Sequence, residues 1–429
     1  MKKVRIFALA AVAGALFACQ KSGSTDNTPV TAQGIPTKMT LSVNFNANGG
    51  SSLSRALNGN DEAGTAAENA VQTIEFYVFT SAGALDTAVG TGNGYIEFTD
   101  GVLSKEVIVS SGTETFVALV NMNLGPLAAG QTLADLQAKL STGQFTITAG
   151  SENARAIPTT GLEMSGQAGA TIVANSITNS VSIAVSRLVS KMNAPTFSDG
   201  LVPAGPAGIT LTDAAIQQLW PGTTTITNAD LTFNPTGWVV VNGLDKSGVL
   251  FTGNAAGDDT DPLNVPWDTW TATGKAYLAS TFDATGAYTA NYSGYGNADF
   301  FLGLATPPVV YVYENAPQKI TVSGQTGYDP QDVYAFIVKG DIIVDGDATN
   351  TNGLNQTRFW RVDLVRDNDY HIMRNASYHV NISSIATPGY GTPQDAEQAP
   401  DIIPDANSTA VTITVVVNPW RINTTDTPM

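Results

Sequence analysis

The stretch that decides the fold is residues 71–122, VQTIEFYVFTSAGALDTAVGTGNGYIEFTDGVLSKEVIVSSGTETFVALVNM. It contains four runs rich in β-branched and aromatic residues: VQTIEFYVFT, GYIEFTD, VLSKEVIVS and TETFVALVNM. The turn sequences SAG, TGNG, DG and SSG separate them. Short strands at close spacing with turn residues between them are typical of a β-sandwich. The sequence therefore predicts an all-β fold with one or two short helices.

The second half of the chain repeats this pattern. Its strand-like runs are GWVVVNG, KAYLASTF, PPVVYVYEN, DVYAFIVKGDIIVDG, TRFWRVDLV and SYHVNISSI. Because 429 residues exceed the size of one ordinary domain, we expect two sandwiches in tandem, with a boundary near residue 195. One helix is predicted over residues 132–142, TLADLQAKLST, with three leucines on one face.

Charge and residue usage exclude several function classes. The chain has 20 Lys and Arg against 37 Asp and Glu, a net charge of −17, and lacks the basic patches that bind nucleic acid. Its one cysteine, Cys19, excludes an intrachain disulfide and a cysteine-based zinc site. The two histidines, His371 and His379, have no nucleophile near them in sequence. We therefore expect no enzyme activity and no cofactor.

The N-terminus is typical of an export signal. Lys2, Lys3 and Arg5 precede an apolar run, residues 6–17, that is too short to span a bilayer. The run ends in LFAC, in which a small residue precedes Cys19 as in a lipobox. This pattern predicts a lipoprotein signal peptide over residues 1–18 with Cys19 acylated. The alternative is an ordinary signal peptide with an incidental cysteine.

Two strands with the same pattern lie near the two ends of the chain. The first carries Met39, Leu41, Val43 and Phe45 on one face, and the last carries Val411, Ile413, Val415 and Val417 on one face. Pro419 then prevents the last ladder from continuing. Strands of matching length and pattern could compete for one groove in a sheet.

A lone arginine follows the first strand. Arg55 is the only basic residue between Lys38 and Lys105, and it lies in the glycine- and serine-rich stretch NANGGSSLSRALNGN. Such a segment offers the extended backbone that a protease needs. The sequence therefore predicts an accessible cleavage point for a trypsin-like enzyme.

The remaining candidate sites have ordinary structural alternatives. Asp345 and Asp347 lie in a loop without the spacing of an EF-hand, so a solvated hairpin loop competes with a cation site. Asp258, Asp259 and Asp261 are a similar acidic group. Trp267 and Trp270 could form a sugar-binding platform or pack a long loop. Arg187 and Lys191 are expected to snorkel at a strand edge or pair at the domain interface.

Taken in order, several segments resemble the Bacteroidetes fimbrillins, the subunits of type V pili. The resemblance extends over the whole chain and is carried by LFAC (16–19), the first strand followed by SRAL (54–57), IEFYVFTSAG (74–83), TFVALVNM (115–122), VSIAVSRLVSKM (181–192), RNASYHVNISSI (374–385) and VTITVVVNPW (411–420).

The resemblance implies two transthyretin-like sandwiches, exported as an outer-membrane lipoprotein and assembled into a cell-surface fimbria. In that family an arginine-specific protease cuts the first loop, here between Arg55 and Ala56. The strand Met39 to Phe45 would then leave, and the strand Val411 to Val417 of another subunit would enter its groove.

The implied organisation has four parts. Residues 1–18 are the signal peptide and 19–55 a lipidated tether with the removable strand. Residues 56–195 and 196–429 are the two domains, the second ending in a donor strand at 408–420. A removable strand and a free terminal strand favour a stalk subunit with identical or related pilins as partners. The alternative is a tip or accessory adhesin that binds a glycan through Trp267 and Trp270.

Overall fold

The computed structural model describes seventeen stretches of the chain, and the fold is reported for these alone. They are residues 33–45, 62–139, 157–199, 201, 208–223, 225–241, 248–250, 309–314, 317, 319–328, 330, 333–364, 370, 372, 374–398, 403–404 and 411–421, with Asn179 to Ala184 included in the third.

The N-terminal half is built from strands joined by tight turns, as its sequence predicts. Its elements are β1 (Pro36–Asn44), β2 (Glu62–Ala63), β3 (Thr73–Thr80), β4 (Tyr95–Thr99), β5 (Ser104–Ser110), β6 (Gly112–Val120), α1 (Leu133–Gln137), β7 (Met164–Ile172), β8 (Ser180–Ala184) and β9 (Ser186–Arg187).

The C-terminal half has the same character. Its elements are β10 (Val189–Met192), β11 (Thr196–Phe197), α2 (Asp213–Leu219), a 3₁₀ turn (Asn228–Asp230), β12 (Leu231–Val241), β13 (Val310–Tyr313), β14 (Lys319–Val322), β15 (Gln325–Tyr328), β16 (Ala335–Val344), β17 (Gln356–Asp363), β18 (Ala376–Ile385), α3 (Pro393–Gln398), β19 (Ile403–Pro404) and β20 (Val411–Arg421). The prediction of a mostly β protein is confirmed, and the described residues contain three short α-helices where the sequence predicts one or two.

Two sheets face each other in the N-terminal half. One has the strand order β5-β1-β8 and the other β4-β3-β6-β7-β9. Alternate side chains of both sheets meet in a shared apolar core that includes Leu41, Phe76, Phe98, Phe116 and Ile183. Because side chains alternate between the faces of a strand, the apolar periodicity of these segments dictates which face turns inward.

A second pair of sheets forms the C-terminal half. The order β12-β16-β17 faces the order β13-β10-β18-β20-β2, with β11 beside β18. Trp238, Phe336, Trp360, Tyr378 and Val312 contribute to the core between them. A small third sheet, β14-β15-β19, is attached to this half.

The chain crosses from one pair of sheets to the other between β9 and β10. β9 pairs with β7 in the N-terminal sheet, whereas β10 pairs with β13 and β18 in the C-terminal one. The change of sheet therefore occurs at Leu188, seven residues before the predicted boundary near residue 195. Leu188 is fully buried between the halves. The apolar alternation therefore continues through the crossing, and no break in the sequence pattern marks the change of sheet.

The predicted helix is shorter than its leucine pattern indicates. α1 begins at a capping box in which Thr132 and Asp135 bond each other's backbone N–H groups. It ends after Gln137, and the carbonyl of Lys139 accepts a hydrogen bond from Val249 (N···O 3.0 Å). A tertiary contact thus replaces the next helical turn.

Over the described residues, no helix is long and apolar enough to cross a membrane.

Candidate functional site

The first strand, β1, lies in the middle of its sheet. It pairs antiparallel with β5 from Pro36↔Ser110 to Ser42↔Ser104, and parallel with β8 from Thr40↔Ser180 to Asn44↔Ala184. Adjacent backbone bonds extend the ladders at both ends, such as Val185 N–H to the Asn44 carbonyl (3.1 Å). Among the strands that the structure describes, β5 and β8 are joined to each other only through β1.

The inward face of β1 fills a deep apolar groove. Met39, Leu41, Val43 and Phe45 are exposed by only 2, 0, 7 and 4%. The groove is lined by neighbours from both sheets, among them Val107, Val109, Val181, Phe76 and Phe116. Complete burial of an apolar side chain stabilises by roughly 1.5–3 kcal/mol, so this strand contributes strongly to the folded precursor.

Polar contacts hold the start of β1 more weakly. Gly34 N–H donates to the Ser111 carbonyl (2.8 Å), and Ser111 N–H donates to the Ile35 carbonyl (2.9 Å). On the outer face Lys38 forms an ion pair with Glu106 at 2.6 Å, but both side chains are more than half exposed. Exposed pairs contribute little, so the retention of β1 rests on its apolar face and its ladders.

Three residues that the sequence links to maturation lie outside the described residues. They are Cys19, Arg55 and Ala56. The described chain stops at Phe45 and resumes at Glu62, so Arg55 belongs to the connection between β1 and β2.

The terminal strand, β20, is already part of a sheet. It pairs antiparallel with β18 from Ile385↔Val411 to Ala376↔Pro419, and parallel with β2 at Glu62↔Trp420 and Ala63↔Arg421. The expectation that this strand is free is therefore wrong for the subunit described. The alternating apolar sequence of β20 is compatible with its own sheet as well as with a groove in another subunit. Pairing with the edge of β18 also provides hydrogen-bond partners for the backbone N–H and C=O groups of β20.

A buried polar cluster surrounds β2, and sequence reasoning missed it. Glu62 contacts Lys191 Nζ at 2.8 Å and accepts a hydrogen bond from His379 Nε2 at 2.8 Å. Glu68, which unlike Glu62 is fully buried, accepts from the Tyr311 hydroxyl at 2.8 Å and lies 3.5 Å from Lys191. Nothing in the local sequence marks these residues, because their partners lie more than a hundred positions away.

Arg187 and Lys191 lie between the two halves of the chain. Arg187 is fully buried, donates to the Glu68 carbonyl at 3.2 Å and to Asn69 Oδ1 at 2.5 Å, and reaches Asn375 Oδ1 at 3.2 Å. Burial lowers its pKa to about 9, which leaves it charged at neutral pH. Of the two expectations for this pair, the domain interface is confirmed and snorkelling is wrong.

Of the other candidate positions, Asp347 has a structural role in a hairpin loop, and several more lie outside the described residues. Asp347 accepts hydrogen bonds from Thr349, Thr351 and the backbone of Asn352 within the β16–β17 hairpin, so the solvated hairpin loop is confirmed. Among the described residues, no three acidic, histidine or cysteine side chains gather as a metal site. The positions outside the described residues are Asp258, Asp259, Asp261, Trp267, Trp270 and His371.

Comparison with known proteins gives one family match. The family model described as major fimbrial subunit protein type IV, fimbrillin, C-terminal, matches residues 359–426. That segment contains most of β17 and all of β18, α3, β19 and β20. No curated protein matches the chain.

Solved structures resemble the chain weakly over most of its length. One from Bacteroides eggerthii, provisionally described as a cell adhesion protein, has a TM-score of 0.46 and 15% identity, covering 91% of this chain and 98% of its own. A fimbrilin from Porphyromonas gingivalis W83 has a TM-score of 0.44 and 15% identity, covering 91% and 99%. The tip fimbrial protein Mfa3 of Porphyromonas gingivalis has a TM-score of 0.41 and 9% identity, covering 90% and 100%.

The similarity that identifies a family lies in residues 359–426. This is the segment in which the motifs RNASYHVNISSI and VTITVVVNPW indicate the same family. The resemblance to the fimbrillins is thereby confirmed, and the matched part is residues 359–426.

Proposed function

We propose that this protein is a structural subunit of a cell-surface fimbria that polymerises by strand exchange. The precursor is exported as a lipoprotein acylated at Cys19 and anchored in the outer membrane. An arginine-specific protease cuts between Arg55 and Ala56, and β1 leaves. The strand Val411 to Val417 of a neighbouring subunit then takes its place.

The observation that carries the proposal is the central position of β1 in a three-stranded sheet. Strands in a sheet lie about 4.7–4.9 Å apart, so the loss of β1 separates β5 and β8 by roughly 9–10 Å. Both strands would then have unpaired backbone N–H and C=O groups along a groove lined by apolar side chains. A single extended strand restores both ladders and fills the pockets with alternate side chains.

The energetics favour a replacement strand of the same pattern. The four inward side chains of β1 together give an upper limit of about 6–12 kcal/mol from apolar burial. Val411, Ile413, Val415 and Val417 repeat the same spacing in sequence. Before cleavage β1 is tethered to its groove at a high effective concentration. Cutting the tether removes that advantage, so assembly is held back until maturation.

The proposal is tested with the purified precursor and an arginine-specific protease. Treated wild-type protein is expected to start at Ala56 and to form a ladder of oligomers on unheated gels. Arg55→Ala is expected to stay uncut at this bond and monomeric. Arg155→Ala is the matched control, because Arg155 is also followed by an alanine, and it should polymerise like the wild type.

A deletion separates cleavage from assembly. Protein lacking residues 408–429 is expected to be cut to Ala56 but to form no ladder. If intact protein that begins at Ala56 stays monomeric, the stalk function is wrong. Incorporation of labelled fatty acid into the wild type but not into Cys19→Ala tests the lipid anchor.

A further inference from the structure

We propose that Glu62 and the short strand β2 form a strap that holds β20 in its own sheet until assembly. The role of β20 as a donor rests on the proposed function. The strap itself is a property of the single subunit, and it can be measured without polymerisation.

The order of strands supplies the first argument. β20 lies between β18 on one side and β2 on the other. The side chain of Glu62 starts from β2 but contacts His379 on β18 and Lys191 on β10, both at 2.8 Å. These contacts therefore join strands on opposite sides of β20. β20 cannot leave the sheet through this face while they persist.

The second argument is the charge on the strap. The hydrogen bond from His379 is the largest influence on Glu62, and with Lys191 it lowers the pKa of Glu62 to about 2 despite partial burial. The carboxylate is therefore ionised at neutral pH. Charge-assisted hydrogen bonds are about twice as strong as neutral ones, so two short contacts hold a strand of only two residues.

The third argument is the anchoring of the turn that follows β2. Thr65 N–H donates to the Glu68 carboxylate at 2.6 Å, and Asn69 N–H donates to the Thr65 carbonyl at 3.0 Å. Arg187 then fixes this turn through the Glu68 carbonyl and the Asn69 side chain. The strap is thus fastened at its C-terminal end to the crossing between the two halves, whereas its N-terminal end leads back to Arg55.

The arrangement gives proteolysis a second effect. Cleavage at Arg55 leaves the strap attached at the turn end alone, because the chain before Ala56 is gone. An edge strand as short as β2 adds few ladder bonds, so its hold on β20 depends on Glu62. A single cut at Arg55 would then both free the groove occupied by β1 and weaken the contacts that hold β20 in its own sheet.

Hydrogen exchange of residues 411–421 tests the strap in the uncut Arg55→Ala protein. Adding Glu62→Gln is expected to speed exchange there about tenfold, as the loss of one charge-assisted hydrogen bond implies. Glu97→Gln is the matched control, because Glu97 is exposed on β4 of the N-terminal half and accepts a hydrogen bond from the Tyr95 hydroxyl at 3.2 Å. It should leave exchange in this segment unchanged.

A second variant and a kinetic measurement complete the test. His379→Leu removes the hydrogen-bond donor on the other side of β20 and should speed the same exchange. In the cleavable protein, Glu62→Gln should shorten the delay before oligomers form. If neither variant changes exchange at 411–421, the strap is wrong. If exchange rises but even the wild type never polymerises, the strap stands and the proposed fimbrial function is overturned.

Discussion

At the scale of single residues, the most unusual group is Glu114 on β6. Its side chain is buried, and its Oε2 has no hydrogen-bond partner within the described part of the chain. Burial, reinforced by the charge of Asp86, raises its pKa to about 7. Asp86 in turn binds the backbone N–H and hydroxyl of Ser110 at 2.7 and 2.6 Å, where β5 meets the start of β1.

This pKa predicts that the contribution of Glu114 to the stability of the protein rises as the pH falls through about 7. Because the folded pKa lies above the unfolded value of 4.5, the folded state binds the proton more tightly, and stability is gained as the pH falls from above 7 toward 4.5. Glu114→Gln is expected to raise the free energy of unfolding by about 1–3 kcal/mol at pH 8, the cost of an unsatisfied buried group.

Urea unfolding at pH 8 and pH 5 measures the effect. The gain from Glu114→Gln should be smaller at pH 5, where the wild-type carboxyl is protonated. Glu97→Gln, an exposed change of the same type, should alter neither value. Equal gains at both pH values would contradict the raised pKa.

At the scale of secondary-structure elements, β1 combines a deeply buried face with an exposed one. Leu41 is fully buried, whereas Lys38 on the opposite face is largely exposed. The alternation was visible in the sequence, because period-two patterning depends only on the geometry of a strand. Its position between β5 and β8 was not, since strand order depends on pairings between distant segments.

Substitutions on the two faces of β1 should have different effects on the precursor. Leu41→Ala is expected to lower the free energy of unfolding by about 2–5 kcal/mol through the lost apolar contacts and the cavity left behind. Lys38→Ala should change it by less than about 1 kcal/mol, because an exposed ion pair contributes little.

The comparison is made by denaturant unfolding of uncut precursor. If β1 is replaced during assembly, polymers of cleaved Leu41→Ala should match wild-type polymers in resistance to heating in detergent, because residue 41 is no longer present. A polymer weakened by Leu41→Ala would contradict the removal of β1.

At the scale of the whole molecule, the two sandwiches share an apolar interface. The outer face of β3 and β6, with Tyr77 and Leu119, packs against Leu188, Tyr311 and other buried residues of the second half. β3 is therefore buried on both faces for most of its length. A sandwich strand with a solvated outer face would show cleaner alternation, which explains the nearly continuous apolar run in IEFYVF.

A buried ion pair adds to this interface. Arg374 donates to both carboxylate oxygens of Glu314, to the Ser165 hydroxyl at 3.4 Å and to the Gly248 carbonyl at 3.1 Å. Ser165 belongs to β7 of the first sandwich, whereas Arg374 precedes β18 of the second. The guanidinium therefore ties the two halves together.

Removing one partner of this pair should destabilise the whole chain. Arg374→Met is expected to cost about 3–5 kcal/mol, because it leaves the Glu314 carboxylate buried without its charge partner. Calorimetry should show a lower unfolding temperature. The double variant Arg374→Met with Glu314→Met is the control and should recover part of the loss. A single variant as stable as the wild type would contradict the interfacial role.

The sequence by itself determined the β class, the inward face of the first strand, the start of α1 near Thr132 and the resemblance to fimbrillins in the C-terminal segment. These features depend on local periodicity, turn chemistry and motifs that a single chain displays. Only the tertiary structure decided the crossing at Leu188, the place of β1 between β5 and β8, and the pairing of β20 with β18 and β2. It also brought Glu62 to His379, because contacts between residues that distant depend on how the sheets pack and leave no local pattern.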